Sequence, residues 1–414
     1  MFKKIFFTLN IILIIMFIPL CSFANYSSYI WSTNKDWVAS VSADVSKEYT
    51  DDTSNPLKLD CGSAILIEQT TGQVLYSYNA HEKLRPASVT KIMSILLIMD
   101  SIKSGKINYD TQIPCSETAA SMGGSQIWLD TTETLSVDEM LKAICVVSAN
   151  DCVVAMAEYL GGTEEGFVNM MNEKAKSLGM NDTNFKNCHG IDEDGHETSS
   201  YDISLMSKEL LNNYPEITKY TTIWSDSLRN GESELINTNK LVHNYKGCTG
   251  LKTGSTSLAL FNLSASATRN DLSLIAVVMK APTSKIRFGC ASSLLDYGFS
   301  NFQYSKLATA GAVVQNVEVF KGIESSVNAV FENDCGTLVS NGNDMNISKT
   351  ISLNENISAP IYKGDTLGTV TFTLDDENIA SVNLVSDRDV NKVNILSMSK
   401  HVFKNWFYLL RQRK

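Results

Sequence analysis

Hydrophobic and polar positions divide the chain into zones of different rhythm. Two short apolar runs at residues 63–67 and 73–78 have strand length and flank a turn at Thr71-Gly72. Next comes Arg85-Pro86-Ala87-Ser88-Val89-Thr90-Lys91-Ile92-Met93-Ser94-Ile95-Leu96, where proline and small residues give way to an apolar run. That pattern predicts a helix starting near Ser88 and stopping near Gly105. A loop of Gly and Ser at 121–126 leads to helical spacing over 137–160 and again over 164–178. After a loop rich in Asn, Asp, Gly and His at 181–199, residues 203–211 read as helix. Apolar strands at 258–267 and 272–279 flank a turn at Arg269-Asn270-Asp271, and 284–297 reads as a closing helix. Strands at both ends with helices between them predict an α/β layer fold whose early and late strands share one sheet.

From about residue 302 the rhythm changes. Short alternating segments such as 313–320 and 369–374, separated by Gly, Asn and Asp, predict a small β-domain over 302–393. The tail, 394–414, differs again. Ile395, Met398, Val402, Trp406 and Leu409 recur at helical spacing among Lys400, Lys404, Arg411, Arg413 and Lys414. Its longest apolar run, 406–410, is too short to span a bilayer, but a basic aromatic amphipathic helix suits an anionic membrane surface. A helix packed on the β-domain is the alternative. At the other end, Lys3 and Lys4 precede an apolar stretch and Ser22-Phe23-Ala24, the pattern of a signal peptide over 1–24 that marks an exported chain. A retained N-terminal membrane anchor is the alternative there. Residues 25–57 are a polar linker, which leaves 58–301 as the main domain.

The chain has 414 residues, of which 43% are hydrophobic and 19% charged, ordinary values for a globular protein large enough for two domains. A net charge of −10, or −12 once Lys3 and Lys4 are cleaved off, argues against a nucleic-acid partner. Eight cysteines follow the signal sequence, scattered without a disulfide framework. Cys145 and Cys152 lie on one helical pattern, about 10 Å apart along the axis of a continuous helix, too far for a bridge. No Cys-x-x-Cys or His-x-x-x-His pair suggests a metal, and no cofactor is expected.

The candidate chemistry begins at Ser88 and Lys91, three apart and so on one helix face. A hydroxyl beside an amine at a helix start is a nucleophile with its base. The pattern alone is weak, because Ser32-Thr33-Asn34-Lys35 and Ser397-Met398-Ser399-Lys400 match it too. Two further motifs single out Ser88. Ser148-Ala149-Asn150 lies between apolar helical runs, where polar groups without partners are costly. Lys252-Thr253-Gly254 occurs once in the chain, just before the 258–267 strand.

In this order and setting the three motifs resemble those of the penicillin-recognising serine enzymes. More narrowly the chain resembles the low-molecular-weight D-alanyl-D-alanine carboxypeptidases, serine peptidase family S11. The likeness extends through Met122-Gly123-Gly124-Ser125-Gln126-Ile127-Trp128-Leu129, His189-Gly190, Gly195-His196-Glu197-Thr198-Ser199 and Ala281-Pro282-Thr283-Ser284-Lys285. It implies an α/β (α+β) penicillin-binding/β-lactamase-like transpeptidase fold, with an antiparallel sheet and helices on both faces. A small C-terminal all-β domain and a terminal amphipathic helix complete the plan. The expected partners are peptidoglycan stem peptides ending in D-Ala-D-Ala, β-lactams as acylating inhibitors, and a membrane surface at the outer face of the cytoplasmic membrane.

The resemblance implies that Ser88 attacks the carbonyl between the terminal D-alanines, with neutral Lys91 as base and Ser148 as proton relay. Asn150, Lys252, Thr253, Gly254 and Ser255 then form the substrate-binding set. Lys252 and Thr253 hold the terminal carboxylate. The backbone N–H groups of Ser88 and Ser255 form the oxyanion hole. A class A β-lactamase is the rival enzyme, and Glu165-Gly166-Phe167-Val168-Asn169 offers its Glu-x-x-x-Asn spacing. That Glu sits in an amphipathic helical pattern, and Ala149 stands where those lactamases carry Asp. A catalytically silent peptidoglycan-binding scaffold is the non-enzyme rival. His189 and His196 sit in a structured loop and are expected to be structural.

Overall fold

Five strands carry the main domain: β1 (Ser63–Glu68), β2 (Val74–Tyr78), β3 (Cys248–Thr256), β4 (Leu260–Arg269) and β5 (Leu272–Ala281). They form one antiparallel sheet in the order β2-β1-β5-β4-β3. The expectation that early and late strands share a sheet holds, since β1 pairs with β5 from Ser63↔Met279 to Glu68↔Leu274. In the computed structural model the described residues are 55–341, 347–374 and 377–393. The signal sequence, nearly all of the linker and the tail helix read from the sequence lie outside them.

The period-2 pattern of β1 and β5 sorts side chains onto two faces. Ile65, Ile67, Ile275, Val277 and Met279 join one core; Ala64, Leu66, Leu274, Ala276 and Val278 join the other. The first core is closed by α1 (Lys91–Lys103), α2 (Val137–Val146), α3 (Asn150–Gly161), α4 (Glu164–Ser177) and α5 (Ser200–Asn213). The second is covered by α6 (Ser284–Asn301) through Leu294 and Leu295. Helix α1 is apolar on every side, with Ile92, Met93, Ile95, Leu96, Ile98 and Met99 all buried. A helix of that kind belongs in the middle of a layer rather than at its surface.

Two departures from the sequence reading both fall near Ser88. The continuous helix expected over 137–160 is two helices, broken at 147–149, with Ser148 at φ +67°. The apolar rhythm runs through the break because α2 and α3 bury into the same core. A capping box, Ser136 with Glu139, starts the first helix, and Ala149, at φ −54° and ψ 116°, starts the second without a side-chain cap. The premise used for Cys145 and Cys152 therefore fails, although both thiols are free and buried. The second departure is β3. Cys248-Thr249-Gly250-Leu251-Lys252-Thr253-Gly254-Ser255-Thr256 has one large aliphatic residue and no alternation, so Lys252 lies inside a strand rather than before one. Its pairing with β4, from Cys248↔Ala267 to Thr256↔Leu260, forms the strand in place of local propensity.

Beyond α6 the chain continues as β6 (Phe302–Ala308), β7 (Val313–Glu318), β8 (Ser326–Phe331), β9 (Cys335–Ser340), β10 (Ile347–Leu353), β11 (Thr366–Leu374) and β12 (Glu377–Ser386). Strands β6 and β9 pair together, and the others form a sheet in the order β7-β8-β12-β11-β10 around a core of Val327, Val370, Val382 and Leu384.

Candidate active site

Pro86 ends the extended approach to the central helix, and a single 3-10 turn, Ala87–Thr90, lifts Ser88 to a half-buried position at its mouth. Ala87 adopts φ +49°, a costly conformation for a residue with a Cβ, so the neighbouring structure must hold the turn in place. Lys91 opens α1 and is fully buried. Its Nζ lies 3.1 Å from Ser88 Oγ, 2.6 Å from Asn150 Oδ1 and 2.7 Å from the His189 carbonyl. No carboxylate is among these partners. Burial is the chief cause pushing the Lys91 pKa well below its usual range, and the Lys252 cation adds to it. A neutral amine has two N–H donors and one lone pair. Asn150 Oδ1 and the His189 carbonyl can only accept, so they take both donors, and the lone pair is left for the Ser88 hydroxyl to donate into.

Asn150 begins α3 just past the helix break. Its Nδ2 donates to the Gly123 carbonyl at 2.6 Å, which fixes the amide so that Oδ1 faces Lys91. Its backbone N–H donates to the Ser125 carbonyl at 2.7 Å. Asp151 holds the same loop from inside, its buried carboxylate accepting from Ile127 N–H at 3.0 Å and Leu129 N–H at 3.1 Å. Ser148 sits at the break itself, and its hydroxyl is buried without a hydrogen-bond partner. Buried hydroxyls nearly always have partners, which sets this one apart.

The third side of the site is β3. Lys252 is buried and donates to the Thr253 carbonyl at 3.0 Å. Its pKa is brought down to about 7, chiefly by burial, with an upward pull from Cys145 and a smaller downward push from the Arg287 cation. Thr253 Oγ1 donates to Thr238 Oγ1 at 2.8 Å, and Thr238 N–H donates to the Val146 carbonyl at the end of α2. Gly254 faces the Ser88 turn. A Cβ there would lie 2.8 Å from both the Pro86 carbonyl and Val89 N, and 2.9 Å from Ser88 N. Arg287 of α6, also buried, donates through Nη1 to the Gly254 and Asn262 carbonyls at 3.2 and 3.1 Å. Ser255 follows, exposed, opposite Phe261.

Of the eight residues singled out in the sequence, Ser88, Lys91 and Asn150 are joined by direct hydrogen bonds, and Gly254 abuts the Ser88 turn. Lys252 is close enough to act on Lys91 through its charge. Ser148, Thr253 and Ser255 sit on the same elements, with no hydrogen bond to that cluster. Sequence reasoning gave no role to Asp151, Thr238 and Arg287, which hold the loop and strand in place. Asp151 stood beside the Ser-x-Asn triplet, but Thr238 and Arg287 carried no local signal. The rings of His189 and His196 do not reach Ser88 through any hydrogen bond in the structure. Burial lowers their pKa values to about 3 and about 4, leaving both neutral, and His196 bridges Thr90 Oγ1 and Lys186 N–H. Among the described residues no group of His, Cys, Asp and Glu is arranged to hold a metal ion, and no helix is long and apolar enough to cross a membrane.

A serine hydroxyl hydrogen-bonded to a buried amine that no carboxylate neutralises, with a second buried amine on the facing strand, is the set of groups a serine acyl-transfer enzyme requires. Residues 50–283 match the family described as D-alanyl-D-alanine carboxypeptidase, and 302–392 match the C-terminal domain of penicillin-binding protein 5. D-alanyl-D-alanine carboxypeptidase DacF of Bacillus subtilis (strain 168) is 42% identical over 357 residues, covering 85% of this chain and 92% of that one. Penicillin binding protein 5 from Haemophilus influenzae has TM-score 0.67 and 31% identity, covering 82% of this chain and 100% of that one. Penicillin-Binding Protein D2 from Listeria monocytogenes, solved in an ampicillin-bound form, has TM-score 0.55 and 28% identity over 59% of this chain and 100% of its own. The chain belongs to the D-alanyl-D-alanine carboxypeptidase family, and it is a serine-type carboxypeptidase of that class. The antiparallel sheet with helices on both faces and the C-terminal β-domain agree with the fold expected from the sequence.

The clamp on Ser88 gives a direct test. Gly254→Ala sets a methyl against backbone atoms of Pro86, Ser88 and Val89, none of which can rotate away. Acylation by a fluorescent penicillin should fall by about tenfold or more, since small displacements of a reacting atom are costly. The far-ultraviolet circular dichroism should stay that of wild type. Wild-type acylation in Gly254→Ala would show that Ser88 is not held from this side.

Proposed function

We propose that Ser88 is the acylation nucleophile and Lys91 its general base, and that the acyl donor is a peptidoglycan stem ending in D-Ala-D-Ala. The observation that carries this is the set of three Lys91 contacts, which consume both N–H donors of a neutral amine and turn its lone pair to Ser88 Oγ. Ser88 Oγ attacks the carbonyl between the two terminal D-alanines while its proton passes to Lys91 Nζ. The tetrahedral oxyanion is received by the backbone N–H groups of Ser88 and Ser255. The buried, unpartnered Ser148 hydroxyl relays a proton to the leaving amine, D-alanine departs, and water hydrolyses the ester. Asn150 orients Lys91, while Lys252 and Thr253 of β3 hold the substrate carboxylate, with Gly254 allowing the strand to approach. β-Lactams acylate the same serine. The lactamase alternative required Glu165 as water activator, and this residue lies exposed in the first turn of α4.

Labelling by a fluorescent penicillin, together with release of D-alanine from a pentapeptide, tests the assignment. Wild type should do both and Ser88→Ala neither. D-alanine release by the Ser88→Ala chain would remove Ser88 from the mechanism.

The two amines set the pH dependence. Lys91 must be neutral, so kcat/KM rises with pH through its lowered pKa; Lys252 must be charged, so kcat/KM falls on the alkaline side. Lys252→Gln removes the cation that helps hold Lys91 neutral. The acid limb of penicillin acylation should therefore move to higher pH, and a limb that stays in place would argue that the two amines are not coupled.

We further propose that the chain acts outside the cytoplasmic membrane, exported by its first 24 residues and held peripherally by its basic, aromatic tail. Deleting residues 395–414 should leave soluble carboxypeptidase activity intact and move the signal-cleaved enzyme from the membrane to the soluble fraction. Continued sedimentation with membranes would exclude the tail as anchor.

A further inference from the structure

His189 brings its backbone carbonyl, and not its ring, to Lys91. The segment carrying that carbonyl is held on the far side by one side chain, Glu164 in the first turn of α4. Glu164 Oε1 accepts from Cys188 N–H at 3.2 Å and from Cys188 Sγ at 3.2 Å, and lies 3.4 Å from His189 Nε2. The tautomer of His189 follows from its other nitrogen. Nδ1 accepts the Ile191 N–H at 3.1 Å, so in the neutral ring the proton sits on Nε2 and points at Glu164. One carboxylate oxygen thus gathers donors from two consecutive residues.

The direction in which this segment could relax is also set. Towards Ser88 it is blocked: Gly190, at φ +92°, has no room even for a Cβ, which would lie 1.9 Å from the Ala87 carbonyl. The Cys188 carbonyl is tied to α1 by Ser94 Oγ at 2.6 Å, and the Gly190 N–H is taken by Asn187 Oδ1 at 2.7 Å. On the opposite side lies an open cavity lined by Glu164, Val168, Lys186, Asn187, Ile191 and Asp192. Without Glu164, the Cys188 N–H loses its acceptor at the edge of that cavity, and the His189 carbonyl is free to swing away from Lys91.

We infer that Glu164 is a positioning residue for acylation: it fixes the Cys188-His189 backbone so that the His189 carbonyl holds one Nζ–H of Lys91 and keeps the lone pair on Ser88. This rests on the assignment of Ser88 and Lys91 above. The charged and titratable groups that face Lys91 are Lys252 from β3, Asp151 from α3 and the Cys188 thiol. Those facing Glu164 are Cys188 and His189, with Glu165, Lys186, Asp192 and Glu193 around the same cavity. The effect of Glu164 is therefore transmitted through backbone geometry and not through a direct charge pair with Lys91.

The test is the kinetics of acylation of the full chain by a fluorescent penicillin, separated into a saturation constant and a limiting first-order rate constant. Glu164→Ala should lower the limiting constant by about tenfold and leave the saturation constant within about twofold, because Glu164 touches no binding group. Glu164→Gln keeps a carbonyl acceptor and should recover most of the rate. Glu164→Asp keeps the charge but withdraws the oxygen, and should behave as Glu164→Ala does, including where the Ala chain melts early. Glu165→Ala removes a like charge from the same helix turn and should match wild type. The inference is overturned if Glu164→Ala acylates at the wild-type limiting rate, if Glu165→Ala falls with it, or if the loss lies in the saturation constant. Failure of the underlying assignment has a different signature, namely labelling of Ser88→Ala or none of wild type.

Discussion

An amine buried without an anion is the constraint on which this structure depends. A lysine in an interior either pairs with a carboxylate or gives up its charge. Lys91 is sealed at the head of a helix that is apolar on all sides, and its partners are three neutral oxygens. Each of those oxygens belongs to a different part of the chain. Ser88 comes from the turn before the helix, Asn150 from the start of α3, and the His189 carbonyl from the loop before α5. The site is thus the junction of three segments, and it exists only once the helical layer has closed on the sheet.

The supports around that junction are mostly backbone. Gly254 from β3 and Gly190 from the 187–191 segment press on the Ser88 turn from two sides, each so closely that no side chain fits. Asp151 pins the loop whose Gly123 carbonyl orients Asn150. Arg287 of α6 holds the Gly254 carbonyl, so the helix on the far face also contributes to the site. The positive φ of Ala87 and of Ser148 is what such packing maintains: both residues hold conformations they would leave if isolated.

Much of this was legible in the sequence, and the gaps have physical reasons. The hairpin between β4 and β5 was visible because Asn270 and Asp271, at φ +48° and +65°, are residue types that tolerate a primed turn. The Ser88 turn was visible because Pro86 and an abrupt apolar run mark a helix start. Strand β3 was not, since its nine residues carry chemistry rather than hydrophobic pattern and depend on β4 for their conformation. The break before Asn150 was hidden for the opposite reason: apolar residues continue on both sides of it, and only tertiary contacts reveal that the chain turns there. Glu164 and Arg287 were invisible because the groups they hold, the Cys188-His189 segment and the Gly254 and Asn262 carbonyls, lie far away in sequence, which no local spacing encodes.

The low basicity of Lys252 has one more consequence. With a pKa of about 7, this side chain is partly uncharged in the empty enzyme near neutrality. A carboxylate docking on it would raise that pKa again, so the amine would draw a proton from the solvent as the ligand arrives. Binding of an anion would then be accompanied by proton uptake, and its heat would vary with the ionisation enthalpy of the buffer. Uncharged analogues of the same ligand would bind without that exchange.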